Sequence, residues 1–124
     1  MILKPLMVGG ALASSPNIVM ISDPITHPDG SVTWTPPKRY DHPFDGVETI
    51  RRLPKSQVPG ACARLFKEAG LDISVGPRQM GCAVYRGNKG TIIVIDKPVG
   101  GITPEAVIRH ERGHLNGWPA DHPD

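Results

Sequence analysis

The sequence predicts a small α+β domain, and three observations carry that expectation. They are a helix-like stretch after residue 60, two short apolar runs joined by a Gly-rich turn, and a C-terminal stretch with signals for both helix ends. The expected architecture is one helix, a short antiparallel sheet and a second helix that closes the fold.

At 124 residues the chain is long enough for one modest core without help from disulfides or a metal. Its 14 Pro and 14 Gly set against 39% hydrophobic residues imply many loops around a small centre. The net charge of +2 comes from scattered Lys and Arg, which argues against a nucleic-acid partner. No apolar run approaches the roughly 18 residues a membrane-spanning helix requires.

The N-terminal part, residues 1–57, reads as a Pro-rich extended region. Lys4 followed by the apolar stretch Leu6 to Ala13 has the outline of a short signal peptide over residues 1–13, with a first strand as the alternative. Export to an oxidising compartment and residence in the cytoplasm therefore both stay open. Ile18-Val19-Met20-Ile21 and Val32-Thr33-Trp34-Thr35 are short strand candidates around the turn signal Pro28-Asp29-Gly30. Thr35 to Pro43 reads as polyproline-like chain that either wraps the domain or links to it.

From residue 58 to 124 the pattern is that of a folded domain. Ala61 to Ala69, followed by Gly70, predicts a short amphipathic helix. Gly81 to Tyr85 and Thr91 to Ile95 predict two strands, joined as a hairpin through Arg86 to Gly90. Thr103 is an N-cap with Pro104 at the first helical position, which opens a helix to about Asn116 that Gly117 ends. Cys62 and Cys82 are either two buried thiols or a possible disulfide, which would close a loop of about 20 residues and stabilise the fold by on the order of 3 kcal/mol.

The C-terminal helix carries His110-Glu111-Arg112-Gly113-His114. Residues four apart lie one turn apart on the same face, so His110 and His114 present two imidazoles side by side with the Glu111 carboxyl close by. On a helical wheel these three residues share a sector of about 100° around Val107, with Ile108 and Leu115 beside it, while Glu105, Arg109 and Arg112 face the opposite way, toward solvent. Two solvated histidines on a surface helix would not need apolar neighbours. The tail Gly117-Trp118-Pro119-Ala120-Asp121-His122 supplies two candidates for a third metal ligand, His122 and Asp121. Gly113 costs about 1 kcal/mol relative to Ala inside a helix, and its bare backbone invites another chain segment to pack close.

These residues resemble the zincin superfamily of zinc metallopeptidases, through His110-Glu111-x-x-His114 and the helix, strands and final helix of residues 58–116. The continuation His114-x-x-Gly117 is similar to the metzincin branch, in which a Gly turn returns the chain to a third ligand. A metzincin places that ligand six residues after the second His, where this chain has Ala120; Asp121 and His122 follow it. Secreted bacterial zincins of the snapalysin type use Asp there. His122 is the preferred ligand, because neutral imidazole is the commoner partner and the Trp118-Pro119-Ala120 turn can absorb the extra residues.

The resemblance implies a zincin-like domain over residues 58–124 that holds Zn2+ through His110, His114 and the third ligand, with Glu111 as general base. It implies a peptide or protein substrate laid as an extended strand beside the site, with Thr91 to Ile95 as the edge that receives it, and a monomeric enzyme. Tyr85, Tyr40 and His42 have the chemistry to steady a developing oxyanion, and His27, His42 and Trp34 read as loop or packing residues. A zinc-stabilised binding module without catalysis is the alternative from another class. Peptide deformylase shares the helix motif, but the residues around Cys82 lack that family's signature.

Overall fold

The computed structural model describes the backbone of residues 17–21, 25–26 and 32–33 and the whole of residues 34–123. The signal-like segment 1–13, the turn Pro28-Asp29-Gly30 and His27 lie outside the described residues. In chain order the elements are β1 (Asn17–Ile21), β2 (Ile25–Thr26), β3 (Val32–Thr33), β4 (Val47–Leu53), α1 (Val58–Glu68), β5 (Gly81–Arg86), β6 (Lys89–Ile95) and α2 (Pro104–Leu115). No helix among the described residues is long and apolar enough to cross a membrane.

The α+β class holds, but the sheet is mixed. β1, β5, β6 and β4 lie side by side in that order; β4 runs parallel to β6 and the other pairings are antiparallel, while β2 and β3 form a separate two-stranded ribbon. The parallel pair arises because the chain leaves β4 through α1 and re-enters the sheet by way of β5, a crossover that two parallel strands require. The change in composition near residue 57 accordingly falls inside the fold. β1 and β4, both from before it, flank β5 and β6 from after it.

Side chains alternate across a strand, and this places one helix on each face. A Cβ on Gly81 would lie 2.6 Å from Val107 of α2, whereas the neighbouring Cys82 is bonded to Cys62 of α1. Gly81 and Ala83, with Ile92 and Val94 opposite them, therefore face α2; Cys82, Val84, Ile93 and Ile95 face α1. Cover on both sides explains why Gly81-Cys82-Ala83-Val84 and Ile92-Ile93-Val94-Ile95 are continuous apolar runs instead of alternating ones. The hairpin is tighter than expected: Arg86 pairs with Lys89, leaving only Gly87-Asn88 as the turn.

β6 is an interior strand, paired on one side with β5 and on the other with β4. Thr91 to Ile95 therefore has no open edge for a substrate strand, which corrects the sequence expectation. β4 escaped the sequence reading because it is a mostly exposed edge strand whose Glu48, Arg51 and Arg52 interrupt any apolar alternation. α1 begins at Val58, earlier than expected, since Pro59 is tolerated in a first helical turn.

Residues 34–46 wrap α2. Pro36 packs on Gly113, where a Cβ would lie 2.8 Å from the proline ring and 3.2 Å from Trp118. Asn116 donates through Nδ2 to the carbonyls of Tyr40 (2.9 Å) and His42 (2.6 Å). The charged back of α2 faces solvent as expected, and its side chains also make ion pairs. Arg109 pairs with Asp41, Arg112 makes a two-pronged bond to Glu48 at 2.7 and 2.8 Å, and Glu105 meets Arg52 at 3.3 Å. The Arg109 guanidinium holds the Asp41 carboxyl below its ordinary pKa by hydrogen bonding.

Two stability outcomes follow. The Cys62–Cys82 bond links α1 to β5 with both residues fully buried, so replacing both with Ala lowers stability by about 3 kcal/mol, read as a lower urea midpoint. Gly113→Ala, although it improves helix propensity by about 1 kcal/mol, lowers the thermal midpoint because Pro36 and Trp118 occupy the space; a raised midpoint would contradict this packing.

Candidate metal centre

Both ends of α2 are built by local sequence. Thr103 accepts from the Ala106 amide at 3.1 Å, and Pro104 occupies the first turn, where a missing N–H costs nothing. At the other end Gly117 sits at φ 102°, its amide donating to the His114 carbonyl while that of Trp118 donates to the Gly113 carbonyl, both at 3.0 Å. This is a Schellman cap, which turns the chain sharply back along the helix.

The helix buries the face that the sequence singles out. Val107, Ile108, His110, Glu111, His114 and Leu115 are all buried. His122 returns from the tail to join them, so that the ring centroids of His110, His114 and His122 stand 5.0 Å apart in each pairing. The Nε2 of His110 lies 3.2 Å from that of His122 and 3.3 Å from that of His114. Two nitrogens bound tetrahedrally at about 2.0–2.1 Å from one ion are themselves about 3.3–3.4 Å apart. The three histidines could hold a metal ion.

The outer nitrogens are equally specific. His110 Nδ1–H donates to the Trp34 carbonyl at 2.9 Å, and His114 Nδ1–H donates to the Trp118 carbonyl at 2.7 Å. A carbonyl can only accept, so each Nδ1 carries the hydrogen. Burial depresses both imidazoles to a pKa of about 3, against a smaller upward pull from those carbonyls, so both rings are neutral near pH 7. Each Nε2 then presents a bare lone pair toward the other at 3.3 Å, an arrangement that repels unless a cation lies between. Burial also lowers the pKa of His122, with Asp121 opposing.

Glu111 is fully buried, and neither carboxylate oxygen has a hydrogen-bond partner among the described residues. Burial raises its pKa well above the usual carboxylate range. A Cβ on Gly81 would stand 3.4 Å from Glu111 Oε2, so the carboxyl rests against the bare backbone at the start of β5. An unpartnered buried carboxyl marks a place where water, an ion or a ligand completes the structure.

Of the sequence candidates, His110, Glu111, His114 and His122 share one buried face or its rim, whereas Asp121 is exposed and stands outside the cluster. His122 has φ 58°, a left-handed conformation uncommon outside Gly, with its amide bonded to the Pro119 carbonyl at 3.0 Å. Tyr85 packs against Phe44, and Tyr40 lies beneath the Arg39 guanidinium. His42 is exposed, with Nδ1–H toward the Pro43 carbonyl. Trp34, read from the sequence as a packing residue, also supplies a backbone acceptor and an aromatic edge to His110. A main-chain acceptor carries no residue signature, and this one lies 76 positions from its donor.

No protein-family model, curated protein or solved structure matches this chain.

The cluster can hold one ion per chain. His110→Ala, His114→Ala and His122→Ala each lose it, while Asp121→Ala retains it, as measured by metal content after equilibrium dialysis. Retention in the His122 variant together with loss in the Asp121 variant would reverse the assignment of the third ligand.

Proposed function

We propose that this protein is a zinc-dependent hydrolase acting on peptide bonds, with His110, His114 and His122 as the zinc ligands and Glu111 as general base. The observation that carries the reading is Glu111: a fully buried carboxyl with both oxygens unpartnered, on the same helical face as the histidine cluster. A metal site that served only to tie down the tail has no use for such a group. The donor set fits zinc, which is commonly held by neutral imidazoles and in catalytic sites keeps a position open beside three protein ligands. Bound there, zinc would act as a Lewis acid that brings the pKa of a water toward 7.

The remaining chemistry belongs to the chain. His110 and His114 keep their Nε2 lone pairs inward because both Nδ1–H groups are engaged by carbonyls. Glu111 takes a proton from the attacking water at one carboxylate oxygen and delivers it to the leaving amine. To do so it must be ionised, and a cation within a few ångströms favours the ionised form against the upward pull of burial. Gly81 keeps the backbone close to the carboxyl: a side chain there would press on Val107 and come into contact with Glu111.

An extended substrate finds its natural seat on the outer edge of β1. Among the described residues that strand ends the sheet next to β5, and it pairs Ile21 with Gly81, the residue against which Glu111 rests. The domain is proposed to work as a monomer of zincin-like architecture.

Glu111→Gln is the decisive variant. It keeps the shape and the zinc but removes the base, so cleavage of a fluorogenic peptide library by the zinc-loaded chain falls by about 10²- to 10⁴-fold at unchanged metal content. Undiminished cleavage would sink the hydrolase reading, and a wild-type chain that binds zinc without cleaving would favour a metal-stabilised binding module.

A further inference from the structure

Trp118 is the residue immediately after the Gly117 turn, and it is 1% exposed. Its ring stacks on His114 with centroids 4.7 Å apart and planes 13° apart. It also presents to His110 at 5.0 Å and to His122 at 4.9 Å, in both cases edge to face. Thus one side chain touches all three members of the cluster.

The polar atoms of Trp118 are tied in the same way. Its carbonyl accepts from His114 Nδ1–H at 2.7 Å, its amide donates to the Gly113 carbonyl at 3.0 Å, and its indole N–H donates to the Pro123 carbonyl at 2.9 Å. The first two bonds anchor it to the end of α2. The third anchors the stretch just beyond His122, so the loop that carries the tail imidazole is pinned on both sides of that residue.

From these contacts we infer that Trp118 is a positioning residue of the metal centre: it holds His122 in register with the two helical histidines, so that the three-nitrogen cage is formed before an ion enters. His122 is half-buried and lies on a turn, where an unsupported side chain would sample several rotamers and lose that freedom on binding. The indole face removes most of those alternatives, and its bond to Pro123 fixes the rotation of the ring itself. The inference rests on the three-histidine metal centre and is independent of whether the centre hydrolyses anything.

The test compares the full-length wild type with Trp118→Phe, Trp118→Leu and Trp118→Ala, with Zn2+ affinity measured by chelator competition and Co2+ uptake followed by visible absorption. Phe keeps a ring against His114 and His122 but loses the bond to Pro123, so it weakens Zn2+ binding by only about threefold, whereas Leu and Ala weaken it about 10- to 100-fold. In those two variants the intense absorption of four-coordinate Co2+ also falls as His122 leaves the ligand set. Trp34, whose ring centroid lies 5.0 Å from His110, remains in every variant as a fluorescence reporter of the bound ion. If Trp118→Ala does not fold, the comparison of Phe with Leu decides. A Leu variant with wild-type affinity and spectrum, altered only in thermal midpoint, would reduce Trp118 to packing and overturn the inference alone. A wild-type chain that takes up neither ion would overturn the metal centre and this inference together.

Discussion

The structure depends on the cost of burying three ionisable side chains on one face of one helix. His110, Glu111 and His114 are withdrawn from water in a chain with a small core, and each must recover the hydration it loses. For the two histidines half of that recovery is visible, because the Trp34 and Trp118 carbonyls accept from their outer nitrogens. The Nε2 atoms of His114 and His122 both lie within 3.3 Å of that of His110, and both oxygens of Glu111 are buried without a hydrogen-bond partner among the described residues. On the proposed reading, a cation and its water would answer both needs, and no apolar filling would.

Much of the remaining architecture serves to keep that face in place. α2 lies on β5 and β6, close enough that a side chain at Gly81 would force Val107 to shift. Its opposite side is covered by the chain from Trp34 to Glu48, through Pro36 on Gly113, Asn116 bound to two carbonyls, and the Asp41–Arg109 and Glu48–Arg112 pairs. Exposed ion pairs of this kind contribute little individually, of order 1 kcal/mol or less. Their effect here is geometric: they hold the strap that delivers the Trp34 carbonyl to His110. On the far face of the sheet the Cys62–Cys82 bond fixes α1 to the residue next to Gly81, stiffening the strand on which Glu111 rests.

What was legible in the sequence was local. α2 could be read nearly to the residue because its cap, its Pro, its stop and its buried stripe all lie within one short stretch, and the hairpin could be read because two-sided burial leaves continuous apolar runs. β4 could not, since an exposed edge strand is stabilised by backbone pairing and its side chains are free to be charged. The orientation of the sheet was also hidden: parallel pairing of β4 with β6 depends on a crossover and leaves no mark on either strand. Within the site, spacing alone does not separate His122 from Asp121, and His122 is preferred only on the chemistry of its imidazole. The structure separates them by backbone conformation, with His122 turned inward at φ 58° and Asp121 left exposed.

The composition of the cluster also bears on the state of Glu111. Three imidazoles are neutral ligands, and the groups behind two of them are carbonyls and not carboxylates, so a divalent ion would bring its full charge into a buried place. Among the residues whose side chains are described, Glu111 is the only fully buried carboxyl, hence the only buried anion available to balance that charge. The same burial that makes its ionisation unfavourable without an ion makes its attraction to one strong, because both effects grow as water is excluded. On the proposed reading, ion uptake and loss of the Glu111 proton would therefore be coupled. On that reading, a carboxyl whose ionisation burial opposes and an ion favours suits proton transfer better than one permanently ionised in water, and a buried face lacking this acid would hold the same ion with no group to receive a proton.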